Sequence, residues 1–110
     1  MDLQLKGKKA IVTGGSEGIG KSITLALAQE GVDVAICARR KEPLEDTAKE
    51  IAENTGQKII PITADLTETE QANSFIEESV RALKGVDILV NNAGAATGGV
   101  LEYLSDEQWE

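Results

Sequence analysis

Apolar residues along the chain fall into two alternating patterns. Short apolar runs that end in glycine or polar residues are typical of buried strands, and stretches that repeat apolar residues every three or four positions are typical of amphipathic helices. The runs that predict strands are residues 8–13, 32–38, 58–63 and 86–91. Four strands that alternate with crossover helices at intervals of about 25 residues predict an α/β fold with a Rossmann-type, doubly wound parallel sheet.

Three helices are predicted between these strands. The first ends at Gly31, a typical C-terminal cap, and its apolar face consists of Ile19, Ile23, Ala26 and Leu27. The second has Pro43 in its first turn and ends at Gly56, and its apolar face consists of Leu44, Ala48, Ile51 and Ala52. The third follows a capping-box pattern of Thr67 with Glu70, and its stripe consists of Ala72, Phe75, Ile76, Ser79, Val80 and Leu83.

Two of the predicted strands carry signals for their place in the sheet. Pro61 cannot donate a ladder hydrogen bond, so the third strand is expected at an edge. The fourth strand is nearly continuous in apolar residues, as a central strand covered on both faces should be. A loop rich in glycine and alanine, residues 92–99, follows it, and Ser105 with Gln108 forms a second capping box that predicts another helix.

Composition narrows the class of protein. The chain has 110 residues, 41% of them hydrophobic and 27% charged, which fits a single globular domain. Its net charge of -8 disfavours a nucleic-acid partner or an anionic membrane surface. The chain has no histidine and a single cysteine, Cys37, so we expect no Cys/His metal site and no histidine-dependent triad.

Two further expectations follow from apolar runs. Cys37 lies within one of them, which predicts a buried, inert thiol. Polar residues interrupt the N-terminal segment where a secretion signal would be apolar, and no apolar run approaches the roughly 20 residues of a membrane span. We therefore expect a cytoplasmic protein with no membrane partner.

The segment TGGSEGIGKS, residues 13–22, satisfies two phosphate-binding patterns. Both use the free N–H groups of a glycine turn and the positive end of a helix dipole, so the loop alone leaves both open. As a P-loop, G-x-x-x-x-G-K-S, it would place Lys21 on the phosphates and Ser22 on magnesium, and it would need an acid after another apolar strand. The most apolar strand, residues 86–91, ends in asparagine, and Asp65 follows the predicted edge strand. A P-loop nucleotide hydrolase is therefore the weaker alternative.

As a dinucleotide loop, T-G-x-x-x-G-I-G, the same segment predicts that the adenosine ribose is bound at the end of the second strand. An acid there would bind the 2′-hydroxyl of NAD, whereas this chain has Arg39 and Arg40. Guanidinium groups form charge-assisted hydrogen bonds to a 2′-phosphate, so the sequence favours NADP over NAD. Asp33 stands at the opposite end of that strand, and Glu17 is expected to point outward, toward Arg39 or Arg40.

Three ordered segments carry a family resemblance: TGGSEGIG at 13–20, ADL at 64–66 and NNAG at 91–94. With them the chain resembles the short-chain dehydrogenase/reductase family along essentially its whole length. The resemblance implies a sheet of order 3-2-1-4-5-6 and hydride transfer between a nicotinamide cofactor and a carbonyl or alcohol. The loop set is most similar to that of 3-oxoacyl-carrier-protein reductases.

The resemblance also implies which residues bind the cofactor. The glycine loop would line the pyrophosphate and adenosine ribose, through Gly14, Gly15, Ser16, Glu17, Gly18 and Ile19, with Gly20 allowing close packing of helix and strand. Arg39 and Arg40 would bind the 2′-phosphate, and Asp65 would accept a hydrogen bond from the adenine amino group beside the Leu66 backbone. The segment Asn92, Ala93 and Gly94 would pass beneath the nicotinamide-side ribose, while Asn91 would stabilise its strand.

The family's catalytic tyrosine belongs to a Y-x-x-x-K motif that this segment lacks. Its single tyrosine, Tyr103, has Glu107 four positions later, and a carboxylate there would not stabilise a tyrosinate, so Tyr103 is predicted to be a packing residue. We expect residues 1–110 to be the N-terminal cofactor-binding portion of an enzyme of about 250 residues, with no catalytic residue of their own. The fourth strand would then expose an unpaired apolar edge and make the isolated segment poorly soluble or partly unfolded.

The complete enzyme is expected to be a homo-oligomer, a dimer or tetramer, that acts on a small-molecule or acyl-carrier-bound carbonyl. A non-catalytic module that binds a nucleotide, or serves regulation, is the alternative from another functional class.

Overall fold

The computed structural model describes residues 4–14, 16, 18–92 and 100–103, and the side chains of all but the last of these ranges. The helices are α1 Gly18–Gln29, α2 Lys41–Thr55 and α3 Thr69–Leu83, and the strands are β1 Lys9–Thr13, β2 Asp33–Ala38, β3 Ile59–Thr63, β4 Ile88–Asn91 and β5 Val100–Tyr103. Within the described residues the strands form one sheet of order β3-β2-β1-β4-β5.

The first four strands are parallel, and the chain order reverses beside β1. This arrangement confirms the Rossmann-type, doubly wound sheet. Strand β3 lies at the edge, and Pro61 pairs in register with Ile36 of β2, as expected for a residue that cannot donate to a further strand.

Apolar side chains of the central strands alternate between two packed faces, so both faces of the sheet are covered. On one face, Val12 and Ile36 join a buried cluster with Leu44 of α2. On the other, Ile11 packs in a second cluster with Phe75 of α3. The buried strands therefore end at one edge that lies between α1 and α2 on one side and α3 on the other.

The single cysteine belongs to the core. Cys37 is 1% exposed, and its Sγ lies 3.6 Å from the carbonyl oxygen of Ala64. Burial raises the pKa of this thiol to about 11, which keeps it protonated at neutral pH. The expectation of a buried thiol is confirmed.

The face that α1 presents to the sheet agrees with the predicted one in part, because Ile23 and Leu27 pack against the core. Ile19 is 61% exposed and Ala26 is also exposed, whereas Gly20, Thr24 and Ala28 are buried. Small residues on the buried face let the helix approach the sheet closely, and the Thr24 hydroxyl is satisfied because it donates to the Gly20 carbonyl oxygen at 2.8 Å. Apolar periodicity therefore identified two of the four predicted face residues correctly and missed the small buried residues of the same helix.

The capping box predicted at Thr67 and Glu70 is wrong. Helix α3 begins at Thr69, and its N-cap, Glu68, makes no side-chain cap bond. Both the backbone N–H and the hydroxyl of Thr67 donate instead to Oδ1 of Asp65, at 3.0 and 2.7 Å. An Asx turn competes with the helix cap for the same residue, and here the turn has formed.

The expected unpaired edge of β4 is also wrong. Strand β5 pairs with β4 in antiparallel register, from Ile88 opposite Tyr103 to Asn91 opposite Val100. A parallel return needs a connection of about a dozen residues or more, so the short link over residues 92–99 favours an antiparallel partner. The helix predicted from Ser105 and Gln108 lies outside the described residues, as does the side chain of Tyr103.

A polar network joins the amino ends of the strands, opposite to the edge where a ribose is expected. Asp33 pairs with Lys9 at 3.1 Å through Oδ2, and its Oδ1 accepts bonds from Gln57 Nε2 at 2.9 Å and the Lys58 backbone N–H at 3.1 Å. The Lys9 N–H donates to Asp87 Oδ2 at 2.9 Å. Asp33 therefore fixes the starts of three strands.

We expect Asp33→Asn to destabilise the protein by about 1 kcal/mol at pH 7, because it removes a charged hydrogen-bond acceptor. Burial opposes the charge of Asp33, but the bonds from Lys58, Lys9 and Gln57 outweigh burial and lower its pKa. A lowered pKa stabilises the fold above about pH 4 and loses that contribution as the pH falls through the folded-state value. Urea unfolding of both proteins between pH 7 and 3 should show the difference shrinking.

The matched control for this experiment is Asp46→Asn, which changes an exposed carboxylate of α2. It should leave the free energy of unfolding within about 0.5 kcal/mol of the parent. A loss in Asp33→Asn that stays constant across the pH range would contradict the role of the charge.

Candidate functional site

An open cleft of about 560 Å³ lies where the parallel strands end. It occupies the point at which strand order reverses around β1, and open α/β sheets bind ligands at such a switch point. The lining residues are Gly14, Cys37, Ala38, Arg39, Ala64, Asp65, Leu66, Thr67 and Asn92. Five of them, Gly14, Arg39, Asp65, Leu66 and Asn92, are predicted site residues from four separate segments.

The glycine turn between β1 and α1 brings backbone close to backbone. Gly14 has a φ of 67°, and its N–H donates to the Cys37 carbonyl oxygen at 2.8 Å. A Cβ on Gly20 would overlap with the carbonyl oxygen of Gly14 and would lie 2.8 Å from its carbonyl carbon. The close packing expected at Gly20 is therefore present, and it leaves no room for any side chain.

Helix α1 starts four residues after Gly14, which lines the cleft, and the N–H groups of a helix's first turn have no partner within the helix and form the positive end of its dipole. Gly18 begins the helix with a φ of 55°, and the exposed Ile19 follows it. Such a turn can bind a phosphate through backbone donors. Gly15 and Glu17, and with them the expected direction of the Glu17 side chain, lie outside the described residues.

A buried hydroxyl of α2 holds the glycine loop. Thr47 is 5% exposed, and its Oγ1 donates to the carbonyl oxygen of Ser16 at 3.1 Å. This contact ties the loop to the helix that starts after the two arginines. Sequence reasoning missed it, although a threonine among the apolar residues of that helix face was the available signal.

The hydroxyl of Thr13 connects the ends of β1 and β4. Its Oγ1 accepts the backbone N–H of Asn92 at 2.7 Å and lies within donor range of the Val90 carbonyl oxygen at 3.3 Å and Asn91 Oδ1 at 3.2 Å. The sequence indicated Thr13 only as the first residue of the loop motif. Its observed role is to set the direction in which the chain leaves β4.

We expect Thr13→Val to destabilise the protein by about 1–2 kcal/mol, because the partly buried N–H of Asn92 loses its acceptor while the side-chain shape is kept. Thr13→Ser retains the hydroxyl and is the matched control, with a smaller loss. Urea unfolding of the three proteins measures the difference. Equal stability of the valine and parent proteins would show that the bond does not hold the two strand ends.

The end of β2 carries positive charge. Arg39 lines the cleft and is exposed, and Arg40 is the exposed N-cap residue of α2. No acid follows β2 at this point, since Asp33 lies at the other end of the strand. Arg39 therefore places positive charge in the cleft at the carboxyl end of β2, with Arg40 next to it in the sequence.

Asp65 provides the negative group of the cleft. Hydrogen bonds from the hydroxyl and then the backbone N–H of Thr67 lower its pKa, and the charge of Arg39 adds to this effect. Asp65 therefore remains ionised and can accept hydrogen bonds at neutral pH.

Two asparagines follow β4. Asn92 lines the cleft, and its Nδ2 would be 3.1 Å from a Cβ on Gly20, so it lies against the glycine turn. Asn91 is exposed and accepts from Thr13, which joins it to β1. Ala93 and Gly94 lie outside the described residues.

The residues that would serve a P-loop are arranged differently. Lys21 Nζ forms an ion pair with Glu50 Oε2 of α2 at 2.8 Å, and both side chains are about half exposed. Ser22 is exposed on α1. These residues form a surface contact between two helices, and a surface ion pair of this kind contributes little to stability.

None of the described helices is both long and apolar enough to cross a membrane.

The family model described as short chain dehydrogenase matches residues 8–110. General stress protein 39 of Bacillus subtilis is 46% identical over 92 residues, which are 83% of this chain and 32% of that protein. The 3-oxoacyl-[acyl-carrier-protein] reductase FabG of Thermotoga maritima is 36% identical over 108 residues, which are 98% of this chain and 44% of that protein.

Among solved structures, L-sorbose reductase from Gluconobacter frateurii, complexed with NADPH and L-sorbose, is similar with a TM-score of 0.83 and 33% identity. The match covers 99% of this chain and 41% of that chain. The chain thus spans less than half the length of each of these relatives.

Proposed function

Because the chain belongs to the short chain dehydrogenase family, we propose that it is the NADP-binding part of an oxidoreductase. The observation that carries the proposal is the cleft at the carboxyl edge of the sheet, where Arg39, Asp65 and the glycine turn meet. When bound, the cofactor supplies a hydride to a carbonyl carbon or takes one from an alcohol. The residues described here bind and orient it.

The chemical groups that line the cleft are of the kinds that bind a dinucleotide. The packing of Gly20 on Gly14 brings the start of α1 close to β1, so its N–H donors can bind a pyrophosphate. Asp65 is an ionised acceptor suited to the amino group of adenine, beside the backbone of Leu66. Asn92 would lie toward the nicotinamide half, against the same glycine turn.

The proposed preference for NADP over NAD rests on the positive charge at the end of β2. Arg39, with Arg40 beside it, offers guanidinium donors to a 2′-phosphate, and an NAD-type acid is missing from the residues after β2. The NADPH bound to the similar L-sorbose reductase supports this preference.

We further propose that the chain is one part of a longer enzyme, since it spans less than half of its relatives. The catalytic groups and the contacts of a cytoplasmic homo-oligomer would then belong to the remainder. An acyl-carrier-bound or small-molecule 3-oxo compound is the proposed substrate, supported by similarity to a 3-oxoacyl-carrier-protein reductase over 98% of this chain.

Titration of the complete protein with NADPH and NADH, followed by nicotinamide fluorescence, tests the proposal. We expect NADPH to bind about 10- to 100-fold more tightly, the value of a charge-assisted hydrogen bond of about 1.5–3 kcal/mol. Equal affinities would contradict the NADP preference, and binding of neither would contradict the nucleotide site.

Two further measurements separate the alternatives. Magnesium ATP should not compete with NADPH, whereas competition that Lys21→Ala abolishes would favour a P-loop. NADPH oxidation with a 3-oxoacyl carrier-protein thioester should be measurable. If the protein bound NADPH but turned over neither this thioester nor a sugar ketone, a non-catalytic nucleotide-binding module would be favoured.

A further inference from the structure

Asp65, which lies two residues after β3, is held by hydrogen bonds at three of its four polar groups. Its backbone N–H donates to Oε1 of Gln71 at 2.8 Å, and its carbonyl oxygen accepts the N–H of Glu68 at 3.1 Å. Its Oδ1 accepts both donors of Thr67. Among the described residues no hydrogen-bond partner is present for Oδ2, so this oxygen is the one that can bind a ligand in the cleft that Asp65 lines.

The bond from Gln71 differs from the other two because it comes from outside the turn. Thr67 belongs to the turn and Glu68 is the N-cap of α3, and both are close to Asp65 along the chain, whereas Gln71 reaches Asp65 with its side chain from the first turn of α3. Phe75 lies four residues later on the same helix face and is 1% exposed in the core. Gln71 therefore connects the turn to a part of the helix that core packing keeps rigid.

One backbone path also joins the turn to α3, because the Glu68 carbonyl oxygen accepts the Ala72 N–H at 2.9 Å. The N-cap residue Glu68 makes no side-chain cap bond, so among the described residues Gln71 is the one residue of α3 whose side chain bonds to Asp65. Gln71 is exposed, and a solvent-exposed glutamine gives up its side-chain freedom only where a bond compensates for it. Its amide oxygen nonetheless lies at full hydrogen-bond distance from the Asp65 N–H.

We propose that Gln71 is a positioning residue that fixes Asp65 so that Oδ2 faces the adenine amino group. The proposal rests on the proposed nucleotide site and assigns to it a residue that makes no contact with the cofactor. Without the Gln71 bond, the Asp65 turn samples other orientations, and binding of the adenosine half must restrict them again. The nicotinamide half, which binds across β1 at the end of β4, is independent of this turn.

The test uses two halves of the cofactor as separate probes, adenosine 2′,5′-bisphosphate and reduced nicotinamide mononucleotide, with the complete protein at 0.15 M salt. Gln71→Met keeps the side-chain length and removes the acceptor, and Gln71→Glu keeps an acceptor oxygen at the same position. Asn73→Leu is the control. It changes an exposed polar residue of α3 that lies two positions after Gln71 and therefore on another side of the helix.

We expect Gln71→Met to weaken adenosine 2′,5′-bisphosphate and NADPH about fivefold, the effect of one hydrogen bond of about 1 kcal/mol. Binding of the mononucleotide should not change, Gln71→Glu should recover most of the affinity, and Asn73→Leu should resemble the parent protein. In steady-state kinetics the KM for NADPH should rise while kcat is retained.

Two results would overturn the role of Gln71. One is unchanged binding of adenosine 2′,5′-bisphosphate by Gln71→Met. The other is an equal loss for both halves together with a lower melting temperature, which would indicate a general structural role. Failure of the parent protein to bind either half would contradict the proposed function itself, and is distinguishable because it is seen before any substitution.

Discussion

Gly20→Ala is expected to abolish measurable NADPH binding and to destabilise the protein by about 3 kcal/mol or more. The added methyl group would overlap with the carbonyl oxygen of Gly14, and backbone of this kind cannot move aside as a flexible side chain can. Relief requires α1 to move away from β1. That movement would widen the glycine turn, displace its N–H donors and push against Asn92, whose Nδ2 would be 3.1 Å from the new atom.

The matched control is Gly56→Ala at the C-terminal end of α2. Gly56 has a φ of 74°, and a Cβ there would meet no atom within 4 Å, so its cost comes from backbone conformation alone, about 1 kcal/mol. Urea unfolding and NADPH titration of both variants separate the two effects. Gly56→Ala should bind NADPH as tightly as the parent protein. Tight NADPH binding by Gly20→Ala would contradict the proposed role of the close packing between Gly20 and Gly14.

Much of the fold could be predicted because the strands are buried on both faces. A strand such as β2 is apolar along nearly its whole length, and the glycine that precedes it ends a helix, so its limits were placed to within one residue. Pro61 cannot donate a ladder hydrogen bond, so its position correctly predicted that β3 lies at the edge of the sheet.

What could not be predicted depends on tertiary contacts. The buried face of α1 is set by how closely Gly20 lets the helix approach β1, and apolar periodicity favoured the exposed Ile19 instead. Strand β5 covers the edge of β4, and the β5 segment carries no distinctive local pattern that would predict this pairing. Thr67 had two competing partners, and only the folded chain shows that Asp65 takes precedence over a helix cap.

The candidate site also contains residues that could be predicted from the sequence and residues that could not. Gly14 and Asp65 were predicted from the motif segments and Arg39 from its place at the end of β2, and the three line one cleft. The residues that hold these segments were not. Thr47 and Gln71 act through hydrogen bonds to backbone groups of other elements or loops, 31 and 6 residues away, so their type and position carry little signal without the structure.

Arg39→Ala is expected to weaken NADPH about 10- to 100-fold and to change NADH less than about twofold. Arg39 lines the cleft where β2 ends, so its guanidinium can form charge-assisted hydrogen bonds to the 2′-phosphate that NADH lacks. It is exposed, so salt screens part of this attraction, and the loss should be largest at low ionic strength. Arg39→Asp should reverse the preference, because a carboxylate accepts from the 2′-hydroxyl of NADH and repels the phosphate.

The controls separate a specific contact from general charge. Arg81→Ala removes the same charge from the last turn of α3 and should leave both affinities unchanged. Arg40→Ala should have a smaller effect than Arg39→Ala, since Arg40 is the N-cap of α2 and does not line the cleft. Equal losses of NADPH and NADH affinity in Arg39→Ala would mean that the residue attracts the shared pyrophosphate, and the basis for an NADP preference would then be lost.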